Sequence, residues 1–257
     1  MNHNVLNVFI TVDVEVWQHS NNFPHHFISD VQRDIYGVTK QGTFGLQYQL
    51  KILNDYDLKA VFFVESLFAS VADKGYLREI VAMIQNAGQE VQLHIHPEWL
   101  ERMNNPFVSV KTGAKFMKDY NMEDQKEIIA HSLQNLYSCG AENIIAFRAG
   151  NYGANDDTLR ALYANNIRFD TSYNFAYRIT PPGIVAGERL LQPKLVHSVY
   201  EIPISCFQDY IGYYRFAQFG GCYAREMDHV LLAAWRQQWQ TFVVVSHSFE
   251  FVYRLRR

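Results

Sequence analysis

Apolar runs rich in Val, Ile and Phe that each end in ionisable side chains recur along this chain, with segments of helical periodicity between them. Thr11-Val12-Asp13-Val14-Glu15, Leu93-His94-Ile95-His96-Pro97-Glu98, Phe147-Arg148-Ala149-Gly150-Asn151 and Val245-Ser246-His247-Ser248 all follow this pattern. Strands and helices that alternate imply parallel pairing through right-handed crossovers. In barrels built this way the chemistry lies at the C-terminal ends of the strands. The chain is therefore expected to form a barrel-like α/β core with its reactive groups on one rim.

The periodicity predicts strands at Val5–Val12, Lys59–Val64, Glu90–His94, Asn143–Phe147, Tyr200–Ile204 and Phe242–Ser246. Helices are expected over Phe44–Asp55, over Met122–Tyr137 before the Cys139-Gly140 stop, after an N-cap at Asn155, and over Arg225–Gln240. The intervening stretches Ser20–Gln41, Asn104–Tyr120 and Tyr173–Val199 read as long aromatic loops of the kind that bind substrates above a barrel. No repeat, low-complexity tract or linker divides the 257 residues, so a single domain over residues 1–257 is expected.

A net charge of −3 without a long basic run argues against nucleic acid as the main ligand. The apolar stretch Val5 to Val12 is too short to span a bilayer and no basic segment precedes it, so the expectation is a cytoplasmic protein with no membrane span. Cys139, Cys206 and Cys222 are odd in number and show no paired spacing, which predicts free thiols rather than a disulfide framework or a thiolate zinc site.

Asp13 and Glu15 stand two apart at the end of the first strand, so a period of two points both carboxylates to one face. One can bind a metal while the other handles a proton. His94 and His96 repeat that geometry, and with Glu98 just beyond they supply nitrogen and oxygen ligands suited to zinc or a similar divalent ion.

From Val5 to Glu250 the chain resembles the polysaccharide deacetylase family, also called the NodB-homology or carbohydrate esterase 4 family. The resemblance implies a distorted (β/α) barrel of mainly parallel strands that removes acetyl groups from sugars. Asp13 matches the general base of the family's Thr-Phe-Asp-Asp-Gly motif. Val14 occupies the usual ligand position, and Glu15 takes that role as in members that space the acids by one residue. Glu90 through His94 matches the approach to the second motif, His-Ser/Thr-x-x-His. Four positions after His94 stands Glu98, so either His96 or Glu98 replaces the second histidine. Arg148 and Asn155-Asp156-Asp157-Thr158-Leu159 resemble the third motif, in which the arginine holds the base carboxylate through two hydrogen bonds. This register gives the backbone N–H of Asn151 the oxyanion-hole role. Phe169-Asp170-Thr171-Ser172 and Val245-Ser246-His247 resemble the last two motifs, in which Asp170 would orient His247 and keep it protonated.

What the resemblance implies is a metal-dependent hydrolase. A divalent metal, by its ligands most suitably zinc, would sit on Glu15, His94 and His96 and polarise the acetyl carbonyl. Asp13 would take a proton from the attacking water, and His247 would give one to the leaving amine. Trp99 and Tyr152, with Trp17, Tyr173, Phe175 and Tyr177, would stack on sugar rings. The implied substrate is an N-acetylated sugar or a glycan precursor. The altered ligand positions leave two further readings, a metal-independent hydrolase of C–N bonds in a small amide and a non-catalytic saccharide-binding protein. Retention of Asp13, Asp170 and His247 argues against a pure binder, which needs neither a base nor an acid.

Overall fold

The computed structural model describes residues 5–17 and 25–252. Strand β1 (Asn7–Val14) leads to helix α1 (Phe27–Asp34), a small hairpin of β2 (Val38–Thr39) and β3 (Gly42–Thr43), and helix α2 (Leu46–Asp55). Then come β4 (Val61–Glu65), α3 (Lys74–Asn86), β5 (Glu90–Ile95), α4 (Met122–Ser138), β6 (Ala146–Ala149), α5 (Asp156–Ala164) and β7 (Phe169–Asp170). Strands β8 (Lys194–Val196), β9 (Val199–Glu201), β10 (Cys206–Tyr210) and β11 (Tyr213–Phe216) precede the last helix, α6 (Ala224–Arg236), and the last strand, β12 (Thr241–His247).

Eight of these strands form one sheet in the order β12-β1-β4-β5-β6-β7-β9-β8, parallel except for the antiparallel β8–β9 pair. The β12 edge is met by the chain that follows β9 and β11, which closes the curl. Ala217 donates from its N–H to Ser205 O at 2.8 Å, and Val245 donates to Ala217 O at 2.9 Å. Closure of the curl makes this the expected distorted (β/α) barrel. Continuous apolar strands such as Thr241–His247 are buried along nearly their whole length, as central parallel strands must be when helices cover the outside.

Several elements differ from the sequence expectation, each for a local reason. The strand expected from Asn143 starts only at Ala146, because Asn143 is in the left-handed region at φ 54°. The strand expected through Ile204 stops at Glu201, ahead of Pro203, which has no N–H to offer a ladder. The expected loop Tyr173–Val199 contains β8, joined to β9 by His197 and Ser198 at φ 48° and 66°, a pairing of positive angles suited to a tight hairpin. Helix α3 buries Leu77, Ile80, Val81 and Ile84 at helical spacing, and the Asp73 carboxylate accepts from Gly75 N–H at 2.8 Å to cap its start. Helix α1 occupies part of the expected loop Ser20–Gln41, whose residues 20–24 lie outside the described residues. Among the described residues no helix is long and apolar enough to cross a membrane. Cys139, Cys206 and Cys222 are free thiols, as expected.

The Asn155 cap is realised as a reciprocal pair. Its side-chain oxygen accepts from Thr158 N–H at 3.0 Å, while the Thr158 hydroxyl accepts from Asn155 N–H at 3.0 Å. Asn155→Ala is expected to lower the unfolding free energy by about 1 to 2 kcal/mol, read from the midpoint of a urea transition.

Candidate active site

Parallel registers bring the ionisable strand ends to one rim. Asp13 pairs with His247 across β1 and β12, Glu65 with His94 across β4 and β5, and His94 with Arg148 across β5 and β6. Arg148 is fully buried, at 0% exposure. Its Nη1 donates to Asp13 Oδ1 at 2.6 Å, Nη2 to the Thr11 hydroxyl at 2.9 Å and Nε to Thr171 O at 3.3 Å. The guanidinium also lies 4.5 Å from the centroid of the Phe63 ring. The expected two-bond clamp on one carboxylate is therefore not formed. Arg148 divides its donors among three partners, because Thr11, two residues before Asp13 on the same strand face, takes the second amine.

Glu15, His94 and His96 converge. Glu15 Oε2 lies 3.1 Å from His94 Nε2 and also contacts His96 Nε2, and the potential ligand atoms of all three lie within 4.8 Å of one another. The other ring nitrogens are occupied. His94 Nδ1 is 2.8 Å from Arg148 O, and His96 Nδ1 is 3.3 Å from Glu98 Oε2. A carbonyl oxygen can only accept, so His94 carries a proton on Nδ1, and Nε2 is the nitrogen that meets Glu15 and that a metal could use. The spacing suits a small ion, since ligands at about 2.0 to 2.1 Å from a tetrahedral zinc stand roughly 3.3 Å apart. This donor set therefore fits a divalent metal. Of the two candidates for the third ligand, it is His96 that faces Glu15, whereas Glu98 backs the ring of His96.

Protons hold the same three groups together when no cation does. Burial pushes the Glu15 carboxyl up, but His96 and His94 beside it outweigh that and hold it well below the usual range. Burial works against a charged His96, yet Glu15 and Glu98 raise its pKa well above an ordinary imidazole. A metal ion would take the place of that proton.

Two structural residues of this cluster escaped the sequence reading. Glu65, at the end of β4, accepts from Leu67 N–H at 2.8 Å and from Phe68 N–H at 3.2 Å, and also bonds the backbone of His96. Burial pushes its carboxyl up to about 8 despite His96 nearby. It obeys the same rule as its neighbours, an ionisable residue closing an apolar run, and could have been found by it. Gly150 follows β6, and a Cβ there would stand 2.7 Å from the His96 ring. Nothing in the sequence announces that contact.

The remaining expected residues separate into those at the rim and those elsewhere. His247 Nε2 lies 3.7 Å from Glu15 Oε1, and its Nδ1 lies 3.1 Å from Glu250 Oε1. Burial opposes its charge, but the Glu250 hydrogen bond and the Glu15 and Asp13 carboxylates leave its pKa raised. Asp170 does not orient this ring, contrary to expectation. It accepts from the Ser172 hydroxyl at 2.7 Å and from Ser172 N–H at 3.2 Å, and it is bonded to Glu201, its cross-strand neighbour. Burial and the adjacent Asp170 hold Glu201 well above the usual carboxylate range, so Glu201 keeps its proton and Asp170 is engaged inside the barrel.

Asn151 and Tyr152 follow Gly150 with φ of 52° and 55°. Consecutive left-handed residues without a glycine cost of order 1 to 2 kcal/mol each. The turn is held by Tyr177, whose hydroxyl lies 3.2 Å from Asn151 Oδ1, and by ring contacts of Tyr152 with Tyr177 and Phe216. Trp99 is not a stacking surface. It is 2% exposed and wedged against Phe27 and Phe68, because the turn after His96 folds its ring back into the core. Trp17, at 48% exposed, is the indole at the rim, with Nε1 2.5 Å from Glu15 Oε1 and its ring edge-on to Phe249.

No protein-family model matches the chain, and no curated protein matches it. Among solved structures, a Mycobacterium smegmatis protein assigned to the polysaccharide deacetylases superposes with a TM-score of 0.62 at 18% identity, over 96% of this chain and 78% of that one. The 4-alpha-glucanotransferase of Thermococcus litoralis gives a TM-score of 0.53 at 9% identity, over 96% of this chain and 33% of that enzyme. This chain thus shares the polysaccharide deacetylase type of (β/α) barrel, as the sequence motifs led one to expect.

Arg148→Met would leave the Asp13 carboxylate buried without its cation. The expected loss of unfolding free energy is about 3 to 5 kcal/mol, measured by guanidinium denaturation, and larger than any loss from the Asn155 cap.

Proposed function

We propose that this chain is a metal-dependent hydrolase that removes an acetyl group from an N-acetylated sugar or polysaccharide precursor. The observation that carries this reading is the convergence of Glu15, His94 and His96 on one point, beside an Asp13 fixed by Arg148 and opposite His247. A divalent ion held by Glu15 Oε2, His94 Nε2 and His96 Nε2 would supply Lewis-acid polarisation of the acetyl carbonyl and acidify a water molecule.

The chain's own groups account for the proton movements. Asp13 Oδ1 is engaged by Arg148 Nη1, which leaves its other oxygen to take a proton from the attacking water. The Asn151 N–H, offered by the left-handed turn after Gly150, donates to the oxygen that gains charge in the tetrahedral state. His247, kept protonated by the carboxylates around it, donates from Nε2 to the leaving amine as the C–N bond breaks. Exposed Trp17 and the half-buried Tyr177 present ring faces and edges suited to the apolar face of a sugar.

The test is acetate release from N-acetylated hexosamines and their oligomers by the purified protein, by the chelated protein and by the protein resupplied with zinc. Activity that is lost on chelation and returns with zinc supports the reading; acetate release unaffected by thorough chelation would favour a metal-independent C–N hydrolase. Asp13→Asn is expected to reduce kcat by on the order of 10² to 10⁴, with the circular dichroism spectrum unchanged, since Asn keeps the volume but cannot accept the proton. Gly150→Ala should displace the His96 ring and weaken zinc binding by about 10 to 100-fold, read by competition with a chromophoric chelator.

A further inference from the structure

We propose that Glu250 is the residue that aims His247 into the cleft. The place of an orienting carboxylate is open because Asp170 is held by Ser172 and Glu201. Glu250 is three residues beyond His247, in the turn that leaves β12, and its N–H donates to His247 O at 3.1 Å. This turn returns the carboxylate to the ring, with Oε1 at 3.1 Å from Nδ1.

Glu250 is itself fixed from several sides. Oε1 also accepts from Gln218 Nε2, while Oε2 accepts from Gly220 N–H at 2.9 Å and from the Ser246 hydroxyl at 3.3 Å. The backbone at Gly220 comes so near that a Cβ there would lie 3.2 Å from Glu250 Cδ. Gln218 in turn bridges to Val245 on β12, so the carboxylate is anchored to the barrel wall and not to a free loop. The ring face is set separately by Phe249, stacked at a centroid distance of 5.0 Å. With one nitrogen and one face determined, Nε2 has a single outlook, toward Glu15 Oε1 at 3.7 Å and the metal-ligand cluster.

The chemistry follows from which nitrogen holds the permanent proton. An ionised carboxylate accepts only, so Nδ1 keeps its hydrogen toward Glu250 and Nε2 becomes the nitrogen that exchanges a proton with the cleft. In the hydrolysis, the proton on Nε2 passes to the departing nitrogen as the C–N bond breaks, the water oxygen bonds to the acetyl carbon, and the water's proton goes to Asp13. Glu250 remains a carboxylate throughout. It is a positioning residue, since it touches the ring and not the substrate.

For its kinetic arm this proposal rests on the hydrolase reading; for its geometry it does not, and the two are tested apart. Protein labelled with ¹⁵N-histidine, with the His247 signals assigned by their loss in His247→Ala, reports the tautomer of the neutral ring by imidazole nitrogen shifts. The wild type should show the proton on Nδ1, Glu250→Gln should keep it there through the amide oxygen, and Glu250→Ala should move it toward Nε2. In the assays, Glu250→Ala should lower kcat on an acetamido sugar by about 10 to 100-fold with KM within roughly 3-fold. Cleavage of an activated aryl acetate, whose leaving group needs no proton, should fall far less, and Glu250→Gln should recover part of the amide activity. An unchanged tautomer in Glu250→Ala would overturn the proposal whatever the activity, as would equal losses on amide and ester. The expected tautomer change in a protein that cleaves no acetamide would support Glu250 as the positioning residue while removing the hydrolase reading.

Discussion

The buried guanidinium of Arg148 is the interaction on which the rim depends. Taking a cation wholly out of water costs several kcal/mol, and it is tolerated here because each face of the group meets a partner: Asp13, Thr11, Thr171 O and the Phe63 ring. These partners come from β1, β4 and the segment after β7, so one side chain spans the width of the barrel mouth. Its backbone contributes as well, since the Arg148 carbonyl fixes the tautomer of His94. Asp13 and the potential metal ligands are thus registered to one another through a single residue.

Around that residue the charges sort into two layers. Toward the rim, Glu15, His94, His96 and His247 form a mixed cluster in which the Glu15 carboxylate and the His96 and His247 imidazoles stabilise each other's charged forms. On the other side of Arg148, Asp170 and Glu201 share a proton within the barrel wall, where two bare carboxylates could not coexist. Glu65 lies under His96 and ties its backbone to the turn after β4. Burial is what makes each of these contacts matter, because in a low-dielectric interior an unpaired partner carries the full desolvation penalty.

Much of this was legible in the chain. The apolar strands ending in ionisable residues gave away the parallel barrel and the rim that gathers its ionisable groups, and the period of two along β1 and β5 placed Glu15, His94 and His96 together, because alternation is a local property of an extended backbone. The Asn155 cap and the α4 and α6 helices were readable for the same reason. Trp99 was misjudged since an indole in sequence has no direction: the turn after His96 turns it inward, and only the packing of Phe27 and Phe68 could reveal this. The pairing of Asp170 with His247 failed because each group found a nearer partner, Asp170 in Ser172 and His247 in Glu250.

What the sequence by itself determined is the set of local events: strand, helix, cap, and which face of a strand each ionisable group occupies. These depend on backbone periodicity and on neighbours within a few residues. Partner choice across the barrel was decided only by the tertiary structure. That Glu98 backs His96 instead of replacing it, that Gly150 must lack a side chain, and that Glu250 rather than Asp170 meets His247 all depend on distances between side chains and backbone that are set only when the chain folds and the sheet curls. A contact of that kind leaves no periodic trace in the chain, because either residue alone is compatible with many surroundings.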